Sequence, residues 1–161
     1  MNFRFPQRHS WLASACAFTM LLASTSLLMA QPSLFEEKSW TESAVALPEV
    51  FNTDVLQSFD VGVNSALTFG IDPGSLVVGE DGVVRFVMVA LSSSGALNVM
   101  YQGIRCATGE TRIYARLSDK RTWNNSPDSS WQALSMSGPT RPALMLARQG
   151  VCEGRTVAGS P

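Results

Sequence analysis

Histidine is almost missing from this chain. His9 is the single one in 161 residues, and it falls in an N-terminal stretch that reads as a removable leader. A mature chain then has none, which excludes histidine-based triads and histidine metal sites. Cysteine is scarce too, at Cys16, Cys106 and Cys152. There is no GxGxxG, P-loop or EF-hand spacing. Ser92 to Ser94 beside Gly95 reads as a turn and not a nucleophile elbow, because no general base follows. Acids are absent before Glu36.

The start is the opposite of acidic. Arg4, Arg8 and His9 precede an apolar or small-residue run from Trp11 to Ala30. A basic region, an apolar region and a small residue before the cut make a secretory signal peptide over residues 1–30. Ala30 is the expected last residue removed. Leu28 sits where a small residue is preferred, so Ala23 and Thr25 are the fallback sites. A retained anchor is the competing reading, since the run just reaches spanning length; Ser and Thr dilute it, and no basic cluster follows. Lipid attachment at Cys16 is not expected, because the apolar run follows that cysteine instead of preceding it. The location implied is periplasmic or secreted, with no transmembrane segment after cleavage.

Without the leader, Cys106 and Cys152 are the two cysteines left. An even count in an oxidising compartment reads as one disulfide. A two-thiolate metal site lacks a CxxC or histidine partner, and a nucleophilic thiol lacks a base. The bridge closes a loop of roughly 46 residues, for which chain entropy suggests about 4 kcal/mol as an upper value. About 130 mature residues suit a single domain. No cofactor and no metal is expected.

Residues 31–58 read as a lead-in arm, partly helical around "SLFEEKSWTES" or mobile, with the pattern broken at Pro48. Residues 59–155 read as one α+β domain and 156–161 as a disordered tail. "ALTFGID" and "SLVVG" are short strands separated by a turn at Asp72-Pro73-Gly74, and Asp81-Gly82 marks a hairpin. Glu80 and Asp81 are taken as turn residues. "VVRFVMVAL" is apolar on both faces except for Arg85, so it is a central strand covered on both sides. "LNVMYQGIRC" and "ETRIYARL" alternate, and "WQALSM" is one strand more. Short turns between such runs give an antiparallel meander of about four to six strands. Thr140 as N-cap, Pro142 in the first turn and Gly150 near the end punctuate a short C-terminal helix packed on one face. Cys152 follows that helix, so the disulfide ties its end to the strand finishing at Cys106.

Several of these motifs occur in a familiar order. Ser75-Leu76, Asp81-Gly82-Val83-Val84-Arg85, Ser94 to Val99, Gly103-Ile104-Arg105-Cys106, Trp131, Arg141 and Cys152 together resemble the family of the cryptic neisserial protein. These are small envelope proteins of betaproteobacteria and relatives. The resemblance covers roughly Phe59 to Cys152. It implies an envelope location and carries over no enzyme activity or cofactor. The lead-in here is less proline-rich and acidic than family members often show.

Charge is unevenly spread. Residues 31–83 hold one base and nine acids, while 84–161 hold nine bases and four acids. Such halves suggest self-complementation or an anionic partner. Nearly all the bases are arginine, suited to carboxylate or phosphate. Nucleic acid is not expected, given export and a net negative chain. The densest stretch runs from Asn98 to Arg116, with one cysteine, two tyrosines, three arginines and two glycines. If its two strands pair, Tyr101 and Arg105 share a face with Arg112, Tyr114 and Arg116. Arginines opposed on neighbouring strands need an acid or anion between them. The acidic arm around Glu36, Glu37 and Glu42 is one candidate, and an envelope component is the other. Trp40, Trp123 and Trp131 read as packing anchors, with Trp123 in a polar loop the best functional exception.

Three function classes follow. The favoured one is a non-enzymatic envelope binding module whose Arg/Tyr face takes an envelope protein or anionic polymer. The second is a carboxylate-dependent cell-wall or glycan hydrolase, which needs two converging acids; Asp72, Glu110 and Asp128 show no suggestive spacing. The third is a structural envelope protein.

Overall fold

The computed structural model describes residues 39–63, 65–126 and 129–159. The expected leader, Cys16, Glu36, Glu37, Asp128 and the first part of the expected arm helix lie outside these residues. Ten short strands and one helix follow in order: β1 (Gln57–Phe59), β2 (Leu67–Ile71), β3 (Val77–Val78), β4 (Val83–Ser92), β5 (Leu97–Arg105), β6 (Glu110–Leu117), β7 (Trp123–Asn125), β8 (Gln132–Ala133), α1 (Arg141–Leu146), β9 (Cys152–Glu153) and β10 (Thr156–Val157). The first eight form one antiparallel sheet. The α+β class, the antiparallel pairing and the C-terminal helix are as expected. The sheet is larger than the four to six strands anticipated, because both of its sides are interrupted.

The main path is β1-β2-β4-β5-β6-β7. β2 and β3 lie end to end along the same side of β4, pairing with its residues 88–92 and 84–85. Asp72-Pro73-Gly74 therefore does not reverse the chain, as expected of a turn. It forms one 3-10 turn that lets an edge path skip and rejoin its neighbour. β7 and β8 do the same along β6, pairing near Ala115–Leu117 and at Glu110–Thr111. A true reversal occurs at Asp81-Gly82, where Gly82 has φ +73° and Val78 pairs with Val84. Glycine reaches that left-handed region without a Cβ penalty.

β4 is the central strand, and its first eight residues are buried. Val84, Phe86, Met88 and Ala90 pack with Phe69, Ile71, Met100 and Ile104 beneath α1, which adds Ala143 and Leu146, and the turn after it, which adds Ala147. Val87 and Val89 face the other way, with Val99, Tyr101 and Tyr114. That second face is covered by the arm. Val45, Leu47, Phe51 and Leu56 lie on it. From Ser39 to Val50 the arm carries no helix. It crosses the sheet as extended chain, and Trp123 holds it through Nε1 donating to the Pro48 carbonyl at 2.9 Å. The partly helical or mobile arm is thus corrected, over its described residues, to a docked extended segment. Apolar residues every second position, Val45 and Leu47, suit an extended chain with one buried face better than a helix.

Cys106 and Cys152 are joined, with Cα atoms 5.7 Å apart. The bridge ties the end of β5 to the widened turn that ends α1, as the cysteine positions predicted. Thr140 occupies the N-cap position but makes no side-chain cap. Its hydroxyl instead donates to the Ala133 carbonyl and accepts from the Ser135 N–H, pinning the helix start to β8. The expected tail is also ordered in part: β10 pairs with β9, and the Ala158 N–H donates to the Val151 carbonyl.

Candidate functional site

Strict alternation would place Arg112, Tyr114 and Arg116 on one face. The β5–β6 ladder breaks it. Gly103 pairs with Arg112 and Gln102 with Ile113, but Tyr101 pairs with Ala115 and Met100 with Arg116. Tyr114 is the extra residue of a β-bulge. A bulge of one residue reverses the facing of everything beyond it. Tyr101, Arg105, Arg112 and Tyr114 therefore share the arm-covered face, and Arg116 does not. The expectation of a five-residue Arg/Tyr face is corrected at Arg116, which turns to the helix side.

Glu42 of the arm sits at the centre of the first group. Its carboxylate accepts from Arg112 Nη1 at 2.8 Å, from the Tyr114 hydroxyl at 2.6 Å and from Trp131 Nε1 at 3.2 Å, with Arg85 Nη2 at 3.5 Å. The Tyr114 ring lies over β5 because residue 103 is glycine. A Cβ there would come within 2.8 Å of the Tyr114 hydroxyl. Burial pushes the Tyr114 phenol up, and its bond to Glu42 pushes it further against the opposing charge of Arg85. It stays a proton donor. Burial raises Tyr101 as well, partly countered by Arg85.

Asp81 forms the second half of this network. Its carboxylate takes Arg85 in a two-pronged pair, Nη1 at 3.1 Å and Nη2 at 2.6 Å, and accepts from the N–H of Ser43 and of Val83. The side chains of Arg85 and Asp81 are only 6% and 1% exposed. Burial works to raise the Asp81 carboxyl, but the hydrogen bonds from Arg85, Ser43 and Val83 outweigh it and hold it at about 2. Burial works against the charge of Arg85, and Asp81 more than restores it, so the guanidinium is held above its ordinary value. Asp81 is a turn residue, as expected, and also the anchor of the arm.

Arg105 completes the face. It lies opposite Glu110, 3.8 Å away, and its guanidinium stacks 3.7 Å from the centre of the Trp40 ring. The anticipated opposition of Arg105 and Arg112 does not arise, because the register sets Glu110 opposite Arg105 and Gly103 opposite Arg112. Trp40 donates to the Asp81 carbonyl and meets Trp131 edge to face. Trp123 lies in β7 and not in a loop, half-buried against Phe51 and Tyr101. Glu42 was anticipated as one of the arm's acids that could partner these arginines, whereas Asp81, Arg85 and Trp131 were not in the anticipated site. Their joint presence has one sequence signal, Arg85 interrupting an otherwise apolar central strand, which requires a buried acid nearby.

Arg116 enters a different setting. On the helix side, two adjoining hollows of about 210 and 340 Å³ share Gln102, Ile113, Arg116, Pro139 and Ala143. They form one trough between the start of α1 and the sheet. Arg116 is exposed, meets Asn98 Oδ1 at 3.4 Å and has no carboxylate partner among the described residues. Of the carboxylates considered for hydrolysis, the two among the described residues do not meet there. Asp72 is buried and caps the N–H of Gly74 and Asn52, and Glu110 faces Arg105. Among the described residues no group of three or more His, Cys, Asp or Glu is placed to hold a metal, and no helix is long and apolar enough to cross a membrane.

A family model described as the CNP1-like family matches residues 35–161. The chain belongs to the CNP1-like family. The match takes in the arm as well as the sheet, so Glu42 and its donors lie within the family's own span. No curated protein matches the chain, and no solved structure does.

Proposed function

We propose that this CNP1-like protein is a non-enzymatic binding module of the bacterial envelope that takes an anionic partner at Arg116. Its resemblance to the cryptic neisserial protein, the leader over residues 1–30 and the disulfide support a periplasmic or secreted location. The observation that carries the binding reading is the division of the arginines. Arg85, Arg105 and Arg112 are each bound to an acid of the same chain. Arg116 stands at an open trough without one among the described residues. A guanidinium there is suited to a carboxylate or phosphate. Arg105, Arg112, Tyr114 and Trp123 then serve to seat the arm.

The test is capture of envelope material after mild cross-linking. Arg116→Ala is expected to lose capture with its thermal midpoint unchanged. Arg112→Ala is expected to lower the midpoint and keep capture in the folded fraction. Equal capture by wild type and Arg116→Ala would sink the reading. A purely structural role has one observation in its favour, the pairing of Arg85, Arg105 and Arg112 with acids of the same chain, and it predicts no specific capture by any variant.

A further inference from the structure

The trough is left open for a geometrical reason. α1 has six residues and is about 9 Å long. β4 and β5 have ten and nine, roughly 30 Å each. The helix covers the end of the sheet near the disulfide, and toward the far end on that face a hollow remains above Met88, Ala90 and Met100, which are themselves buried. The trough's two halves differ in chemistry. One is lined by Leu67, Phe69, Met88, Met100 and Ile113. The other is lined by Thr111, Ser126, Ser129, Ser130 and Thr140, of which Thr111, Ser129 and Thr140 already donate their hydroxyls to backbone carbonyls. Arg116 and Gln102 lie where the halves join.

Gln102 is a polar group at the same place. It is 4% exposed, and its amide nitrogen lies 3.0 Å from the Met88 sulfur, a weak acceptor. Its side chain lines both halves, where its amide can face a polar head group.

We infer that the trough binds a single-chain anionic amphiphile, an acyl or alkyl chain ending in a carboxylate or phosphate. The head sits at Arg116 against the hydroxyl half, and the chain runs across β5 and β4 toward β2. From β6 to β2 is three strand spacings, roughly 14 Å. The hollow on the apolar side, about 340 Å³, falls at the lower end of the usual ligand-pocket range of about 300–1,000 Å³. Two-chain lipids are therefore poor candidates. This inference rests on the reading of Arg116 as the binding residue and adds the class of ligand.

Calorimetric titration of the mature chain tests it, with each amphiphile kept below its micelle concentration. The probes are dodecanoate, dodecyl phosphate, dodecyltrimethylammonium and inorganic phosphate. Both anionic chains are expected to bind with one site, and the cationic chain and phosphate alone to bind far more weakly. Arg116→Ala should weaken the anionic chains about tenfold or more, the worth of one charge-assisted contact. Leu67→Asp, at an exposed edge position, should weaken them by placing a charge at the tail end. Both variants are first shown to be folded by thermal melting. Absence of binding by the anionic chains overturns the inference, as does equal binding of the cationic chain with no effect of Arg116→Ala. If Arg116→Ala still abolishes envelope capture in that event, the ligand class is wrong and the binding module stands. If capture is unaffected as well, both fail.

Discussion

The two faces of the sheet use arginine differently. The arm-covered face carries Arg85, Arg105, Arg112, Glu42 and Asp81, and every one of those charges has a partner within the chain. A hollow of about 410 Å³ remains there beside Glu42, Arg112 and Tyr114, but the charges that line it are already paired. The helix-covered face is apolar over most of its area, and the one arginine lining its hollows, Arg116, has no carboxylate partner among the described residues. Charge-rich surface is commonly taken as binding surface. Here the dense charges are a seat for the chain's own arm.

The largest expected effect is at the arm-covered face. Asp81→Ala strands the buried Arg85 guanidinium and frees the Ser43 N–H. Removing one partner of a buried pair costs about 3–5 kcal/mol. Urea unfolding should show that loss, and the arm should become accessible to protease near Trp40. Replacing Cys106 or Cys152 by Ser should cost about 2–4 kcal/mol, read as a thermal midpoint lower by about 3 °C or more per kcal/mol. Protease sensitivity should then appear around α1 and not at the arm, which separates the two faces. Readily labelled thiols in native, non-reduced protein would contradict the bridge.

Glu42→Gln keeps the shape but turns a carboxylate with three close donors into an amide facing Arg112. The expected cost is about 2 kcal/mol, in the range for charged hydrogen bonds. An unchanged midpoint would show that the arm is held by Val45, Leu47 and Phe51 alone. Acid tests the same face more gently. The Asp81 carboxyl is held at about 2 in the folded protein, against about 3.9 when unfolded. Between those values the unfolded chain binds more protons, so this contribution is full above about pH 5 and is lost progressively as the pH drops through 2. The whole loss is at most about 2.6 kcal/mol. Asp81→Asn should flatten that part of the stability-versus-pH curve. A curve unchanged by the substitution would assign the acid sensitivity to other carboxylates.

Much of this architecture was legible along the chain. β4, β5 and β6, the hairpin at Asp81-Gly82, the short C-terminal helix and the Cys106–Cys152 bridge follow from alternation, turn chemistry and cysteine number. Three features were not. Nothing in "ETRIYARL" marks Tyr114 as an extra residue, since the bulge arises from how β6 fits β5 around Gly103. The seat of Glu42 joins residues 43 to 89 positions apart, and no local pattern encodes such pairing. Asp72-Pro73-Gly74 has the composition of a reversing turn, and only the long partner strand β4 makes it a skip in one edge path. The site shared these limits. Tyr101, Arg105, Arg112 and Tyr114 share one face, and the acid that meets Arg112 and Tyr114 there is Glu42 of the arm, one of the two partners that the charge layout offered.

The smallest expected effect on stability decides the comparison. Arg112 and Arg116 are four positions apart on one strand and would be equivalent without the bulge. Arg112 is bound to Glu42 with its side chain 26% exposed, so Arg112→Ala removes an ion pair that is partly buried. Arg116 has one long contact to Asn98 and an exposed side chain. Arg116→Ala should therefore change stability by less than about 0.5 kcal/mol, the usual range for a surface substitution. The pair of variants then has opposite signatures: Arg112→Ala loses stability and keeps ligand, and Arg116→Ala keeps stability and loses ligand. A third variant sharpens this by removing the bulge. Deleting Tyr114 leaves Ala115 opposite Tyr101 and Arg116 opposite Met100, so strict alternation returns with Arg116 still on the helix side. Such a protein should lose the Tyr114–Glu42 bond, shown by protease cleavage near Trp40, and keep its binding of dodecyl phosphate. If it stays folded and loses that binding, the register of β6 on β5 is not what presents Arg116 to the trough, and the contrast between the two arginines has another cause.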